Sequence, residues 1–341
     1  YNLQDKLGSK WATLKLQSRS WTNTGTPVYR GGDVVRGEFT LDLNQQERMK
    51  DISVIRGVIN YGTSSNIFLE HRRSLWSNDC SGNLLGRYSW PFTLTFPKKA
   101  LLQLDSKTTR PYALPPTFYD ETKRWAISYQ VEVTMLRVAR PDVKLVAPIH
   151  FVPLSRPEDL PPPGQLDYRE SMRFLGPEAD PDGWEALEPV LMVGNISGSR
   201  PIAVTCKLAI SSPLCYVRGT AIRCILTIET GDAETLALLT SESVPQVKLI
   251  RKVGFEKEMA LRTTPGDGKT RDIPEQYVNI VSTMALHPAV WWRSDEQTGS
   301  NARRCTLNGQ IRLDKDLIPS CFFPGIVILV RQQSLMPWSY A

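Results

Sequence analysis

The side chains that most often carry catalysis are present in this chain but do not converge. Three histidines, His71, His150 and His287, share no paired spacing that would hold a metal. Neither a Gly-x-Ser-x-Gly elbow nor a glycine-rich dinucleotide fingerprint occurs. Gly268-Lys269-Thr270 imitates the end of a phosphate-binding loop. Thr263 stands where its first glycine belongs, and Pro265 lies where the cradling backbone would be. The carboxylates Asp105, Glu121 and Glu132 show no pairing suited to general acid–base work. Trp90-Pro91-Phe92 and Trp291-Trp292 read as core fillers or end covers rather than ligand platforms. The expectation is a protein that is not an enzyme and uses no cofactor or metal.

Charge is the other chemistry on offer. The net charge of +6 over 341 residues is modest, but the excess is clustered. Arg72-Arg73 after His71, Lys98-Lys99, Lys248 with Arg251-Lys252, and Arg303-Arg304 are the dense spots. They fit either solvated strand ends or the recognition of an anionic partner, such as acidic lipid heads or phosphorylated protein segments. No aromatic interleaving supports nucleic acid as that partner.

Six cysteines, Cys80, Cys206, Cys215, Cys224, Cys305 and Cys321, divide one to five between the halves. The first half therefore makes no internal disulfide, and no Cys-x-x-Cys pair suggests zinc. Cys206 and Cys224 fall in register with apolar positions, which predicts buried thiols in a reducing compartment. In such a compartment the Asn195-Ile196-Ser197 sequon goes unused. The apolar run Phe322 to Val330 contains Pro324 and Gly325 and falls short of the ~20 residues a membrane helix needs. The chain is expected to be soluble or peripheral.

The elements that must position these side chains are strands. Ile127, Tyr129, Val131, Val133 and Met135 alternate with polar residues, the period of a strand with one buried face. Ile202, Val204, Cys206, Leu208 and Ile210 repeat the pattern, as do Ile222, Cys224, Leu226 and Ile228. Ile52 to Tyr61 is apolar on both parities, the mark of a central strand or a bulge. Only Ala233 to Leu239 hints at helix. Many short strands broken by Gly and Pro predict an all-β chain of sandwiches or barrels.

One pattern occurs twice, 187 residues apart. Tyr29, Gly32, Val35, Arg36, Thr40 and Leu41 match Tyr216, Gly219, Ile222, Arg223, Thr227 and Ile228. A later pair, Leu114-Pro115-Pro116-Thr117-Phe118 and Leu317-Ile318-Pro319-Ser320-Cys321-Phe322, repeats a proline, a small hydroxyl and a phenylalanine. Self-similarity at so long a period predicts two domains of one type. Pro-rich residues 156–169 cannot sit inside a sheet and divide the chain into domains 1–155 and 170–341. Pro265-Gly266-Asp267-Gly268 reads as a turn or loop, and residues 293–304 as another.

The stretch Tyr29-Arg30-Gly31-Gly32-Asp33-Val34-Val35-Arg36-Gly37-Glu38-Phe39 resembles the opening of arrestin-like N-terminal domains. Trp90-Pro91-Phe92-Thr93-Leu94-Thr95-Phe96-Pro97, Leu114 to Phe118 and Ile127 to Val133 are similar to later elements of that family, in order. Tyr216-Val217-Arg218-Gly219 and Ile318-Pro319-Ser320 resemble its C-terminal domain. The resemblance is strongest to the fungal α-arrestins, the arrestin-related trafficking adaptors. It implies two tandem immunoglobulin-like β-sandwiches acting as a non-enzymatic adaptor. Such an adaptor binds cytoplasmic tails of membrane transporters or receptors and links them to ubiquitin-dependent endocytosis. It would work in the cytoplasm, peripheral to the plasma membrane or endosomes. The family usually recruits a ubiquitin ligase through Pro-Pro-x-Tyr. Here Pro115-Pro116-Thr117-Phe118-Tyr119 misses by one position and Pro162-Pro163-Gly164-Gln165 misses altogether, so either that motif lies in segments outside this chain or ligase recruitment is not its job. A retromer-type endosomal sorting subunit and a small-ligand or enzymatic two-sandwich protein are the alternatives.

Overall fold

The computed structural model describes residues 1–5, 7–61, 64–77, 83–103, 109–120, 125–138, 140–154, 176–196, 200–241, 244–256, 278–293 and 303–335. Residues 156–169, the Pro265 turn, Gly268-Lys269-Thr270, Cys80, Asp105 and Glu121 lie outside the described residues. The chain forms two compact units. Among the described residues, unit 1 holds 1–154, 256 and 321–326, and unit 2 holds 176–255, 278–320 and 327–335.

Unit 1 is built from β1 (Asn2–Gln4), β2 (Lys10–Gln17), β3 (Ser20–Trp21), β4 (Pro27–Arg30), β5 (Val34–Tyr61), β6 (Ser64–Glu70), β7 (Ser74–Ser77), β8 (Asn83–Thr95), β9 (Lys99–Gln103), β10 (Thr109–Ala113), β11 (Phe118–Tyr119), β12 (Trp125–Arg137) and β13 (Val143–Val152). The 28-residue β5 belongs to both layers of the sandwich. Its first half pairs with β2 (Phe39 opposite Leu14) and with β8 (Phe39 opposite Trp90). Its second half pairs with β12 on one side and with β6 and β7 on the other. The apolar stretch from Ile52 is thus a central strand, and its register against β12 also slips once, between Gln130 and Val133. Both features expected of that stretch occur together.

The core follows from strand periodicity. Ile127, Tyr129, Val131, Val133 and Met135 are all buried, while Ser128, Gln130, Glu132 and Thr134 are half-buried on the opposite face. Rings fill the interior. Phe96 packs on Phe151 with centroids 4.8 Å apart, Tyr129 lies 5.1 Å from Phe151, and Phe68 lies 5.4 Å from Tyr129. Phe323, from the distant segment grouped with this unit, packs edge-on to Phe68 at 5.1 Å.

Unit 2 contains β14 (Trp184–Ala186), β15 (Val190–Ile196), β16 (Arg200–Ser211), β17 (Ala221–Thr230), α1 (Ala233–Leu239), β18 (Gln246–Glu256), β19 (Val278–Pro288), β20 (Val290–Arg293) and β21 (Arg304–Arg312). After β22 (Cys321–Phe323), which carries the Phe323 of unit 1, comes β23 (Ile326–Leu335). One sheet runs β14-β16-β17-β21-β20 with β15 beside β16, and β18 lies between β19 and β23 in the other. Between them lie Val204, Cys206, Leu208, Cys224, Leu226, Ile228, Leu249 and Leu307. Helix α1 is one short run, started by the Asp232 carboxylate accepting from the Thr235 N–H at 2.8 Å.

The duplicated residues build the same local structure twice. Tyr29 Oη donates to the Gln17 carbonyl at 2.8 Å, and Tyr216 Oη donates to the Ser211 carbonyl. Gly32 donates to the Phe96 carbonyl at 2.9 Å while Phe96 donates back to Asp33 at 2.7 Å. In unit 2, Gly219 donates to Leu313 at 3.0 Å while Leu313 donates back to Thr220 at 2.8 Å. Both glycines sit at positive φ, +88° and +82°, where a side chain is strained. From these latches the two antiparallel ladders run in matching register, Val35 opposite Leu94 and Ile222 opposite Ile311.

One core position is filled differently in the two units. In unit 1, Phe92 of β8 fills it and Gly37 stands opposite, where a Cβ would run into the Phe92 ring. In unit 2 the matching pair is Cys224 opposite Gly309, and the aromatic ring is Trp291 of β20, lying over Gly309. The added strand supplies what the smaller pair lacks. Trp291→Ala is expected to destabilise the protein by about 3–5 kcal/mol. Tyr29→Phe and Tyr216→Phe, which lose one hydroxyl each, should cost about 1 kcal/mol apiece. Denaturant midpoints with unchanged slopes are the readout.

Candidate functional site

The basic residues singled out in the sequence fall into different settings. Arg72, Arg73, Lys98 and Lys99 belong to unit 1, and Lys248, Arg251, Lys252, Arg303 and Arg304 to unit 2. Arg72 is paired with Glu70 at 3.1 Å, both well exposed. Arg73 donates from Nη1 to the Thr93 carbonyl at 2.7 Å, on the side of β8 away from β5. Lys98 lies over the Gly31-Gly32 turn, and Lys99 is exposed at the start of β9. Arg72, Arg73 and Lys98 answer to separate local neighbours rather than to a shared centre.

In unit 2 the strand period sorts the residues of β18. Val247, Leu249 and Val253 are buried, and Arg251 shares their parity. Its guanidinium reaches the sulfur of Met284 at 3.0 Å, so it is half-buried rather than displayed on the surface. Lys248 and Lys252 are half-buried on the other parity. Arg303 is exposed, and its carbonyl accepts from the Thr230 N–H at 2.9 Å. Arg304 is held by Glu178 at 2.7 Å and Glu229 at 3.7 Å, and Lys207 joins Glu229 at 3.0 Å. The Arg304 hydrogen bond keeps the Glu178 carboxyl below the ordinary range.

Lys315 was not picked out by sequence reasoning. It covers Gly219 as Lys98 covers Gly32. Lys98 and Lys315 each follow by two the strand-end residue of the latch, Phe96 and Leu313, and that spacing is the signal that would have found it. The latches are 187 residues apart at their glycines but 217 at these lysines, so a fixed offset misses the pair.

Groups of catalytic type remain apart. His287 Nε2 lies 2.7 Å from Asp314 Oδ2 at the surface, His71 is exposed, and burial holds the His150 imidazole below its usual pKa. Glu132 takes hydrogen bonds from Gln130 and Thr134 and an ion pair from Lys144 at 2.8 Å. Among the described residues no cluster of three His, Cys, Asp or Glu could hold a metal. An open cleft of about 510 Å³ in unit 1 is lined by Leu14, Leu16, Trp21 and Pro148, with Lys15 at its side. Trp90 is half-buried and stacks on Phe39 and Tyr88, whereas Trp291 is buried and donates to the Pro245 carbonyl at 2.9 Å.

The near-miss ligase motif is part of the sandwich. Pro115, Pro116, Thr117 and Phe118 are all buried. The Pro115 carbonyl accepts from Tyr129 Oη at 2.6 Å, and Thr117 Oγ1 accepts from the Phe151 N–H at 2.8 Å. Its counterpart Ser320 Oγ accepts from the Val330 N–H at 3.0 Å.

No protein-family model matches the sequence, and no curated protein matches it. Among solved structures it is similar to the sporulation control protein Spo0M of Bacillus subtilis, at 13% identity and a TM-score of 0.23, over 64% of this chain and 79% of that one. A likeness so distant says nothing of activity. The class rests on the chain's own architecture, which is all-β, with two compact units that repeat one tyrosine–glycine latch. Among the described residues no helix is long and apolar enough to cross a membrane.

Cys206, Cys215, Cys224, Cys305 and Cys321 are free thiols, with Cys206 and Cys224 buried. Burial pushes Cys206 up to about 11 and Cys224 and Cys321 up to about 12, from an ordinary 9.0. Because the folded values are raised, these thiols leave stability untouched below pH 9 and erode it above, where the unfolded chain ionises first. Unfolding free energy should therefore fall between pH 9 and pH 12, and an alkylating reagent at pH 8 should label exposed Cys215 well before Cys206 or Cys224.

Proposed function

We propose that this chain is a non-enzymatic, arrestin-like adaptor. It binds extended cytoplasmic segments of membrane proteins and links them to ubiquitin-dependent endocytosis and trafficking. One observation carries the reading: a duplicated sandwich with exposed strand edges displays cationic side chains beside them, Arg73 against the edge of β8 and Lys99 on β9. An extended peptide adds to such an edge through backbone hydrogen bonds, while flanking cations read its acidic or phosphorylated side chains. The same cations favour an anionic cytoplasmic leaflet, by about 1 kcal/mol per charge near the surface. The scattered titratable groups among the described residues and the open cleft of mixed lining support a binding role over a catalytic one.

Ligase recruitment through Pro115 to Tyr119 is not part of this reading, because four of those five residues are buried in a folded sandwich. A ligase would have to be engaged elsewhere.

Charge reversal is the direct test. Lys98→Glu with Lys99→Glu should weaken binding of an acidic or phosphorylated cytoplasmic tail by about tenfold at low salt and flatten its salt dependence. Val131→Asp, a buried-core control, should abolish folding instead. If the wild-type protein binds neither such tails nor anionic vesicles in 20–50 mM salt (roughly a 15–20 Å screening length), the electrostatic adaptor reading fails.

A further inference from the structure

We propose that the open side of β8 is a docking edge for an extended peptide that alternates acidic and apolar residues. That peptide would join unit 1 in the place that β20 takes in unit 2. The inference rests on the adaptor reading and names where in unit 1 a partner segment binds.

The two units supply the comparison. Equivalent latches put Phe96 and Leu313 in the same place, so Thr93 matches Gln310 and Pro91 matches Asn308. In unit 2, Gln310 and Asn308 face Val290 and Trp292 of β20. Among the described residues β8 pairs with β5 alone. The fold thus accepts a strand at this edge, and the described residues of unit 1 leave it open because Phe92 already supplies the ring that β20 brings to unit 2.

Backbone directions follow from the ladder. Phe96 turns both its N–H and its carbonyl to the β5 side, so Ser89, Pro91 and Thr93, of opposite parity, turn theirs to the open side. The Thr93 carbonyl already draws a donor, Arg73 Nη1 at 2.7 Å. Pro91, with no N–H, removes one donor and discourages indiscriminate strand pairing.

Side chains define the occupant. On the inner face, Trp90 is only half-buried, whereas its match Leu307 is fully buried beside β20. An apolar residue of an added strand would cover the Tyr88–Trp90 stack. On the outer face Arg36, Arg87 and Lys15 outnumber Glu38 and Asp42, and Arg73 adds a further cation at the edge itself. That excess favours acidic residues at the alternate positions.

The test uses an end-capped heptapeptide of alternating Glu and Val with a central Trp, and a scrambled control with its charges in one block. Thr93→Pro removes an N–H that the β5 pairing does not use, so the unfolding midpoint should hold. Peptide affinity should drop about tenfold, from one lost backbone hydrogen bond and the ring's clash with the incoming chain. In the wild type, saturating peptide should slow amide exchange at Ser89 and Thr93, a readout that stands even if the variant folds poorly. Unchanged affinity in Thr93→Pro, or no added protection at those two amides, overturns the inference. Should cytoplasmic tails bind while this edge stays unprotected, the adaptor reading stands and the edge does not. If neither tails nor peptide bind, both fall.

Discussion

In each unit a tyrosine hydroxyl donates a hydrogen bond to a backbone carbonyl of the preceding segment, and a glycine at positive φ lets the chain turn beneath it. The two act together. The hydroxyl fixes where the incoming segment stops, and the reciprocal backbone bonds of the glycine turn fix where the central strand starts against its neighbour. Register in a sheet has period two, so a slip of one residue would send Val35, Phe39 and Leu41 to solvent and Arg36 and Glu38 to the core. The rest of each sandwich inherits its inside and outside from this small latch.

Once the register is set, packing has some freedom. Unit 1 places Phe92 against Gly37, and unit 2 places Trp291 against Gly309. The volumes are supplied from different strands, yet both interiors close. The consequence lies at the surface. Where the ring comes from an added strand, the edge of β21 is covered; where it comes from β8 itself, the edge is left to Pro91 and Arg73. A difference in core filling thereby becomes a difference in what the protein can present to a partner.

Electrostatics is governed by the same geometry. Nine basic residues that read alike in sequence are divided by strand parity and by neighbouring acids. Arg251 points with the core side chains of β18, Arg304 is engaged by Glu178 and Glu229, and Arg72 leans on Glu70. Exposed pairs of this kind add little stability, but they do decide which cations remain to meet an anion. Arg73 matters because of where its strand edge lies, more than because of its charge.

Much was legible in the chain itself. Alternation marked β12, β16 and β17, the short helix α1 was visible as an exception, and the repeated tyrosine and glycine foretold two similar units. These are local signals, set by the two-residue period of strands and by the few residues that tolerate a tight turn. What the sequence could not reveal depends on contacts between distant segments. Phe323 lies with the first unit despite its place near the chain's end, and Lys315 answers to Lys98 across an altered spacing. Trp291 is core while Trp90 stays half-open, because one has a strand over Gly309 and the other borders an uncovered edge. Composition announced the charges and rings; only the pairing of strands, which joins residues far apart in the chain, decided which of them are buried and which are displayed.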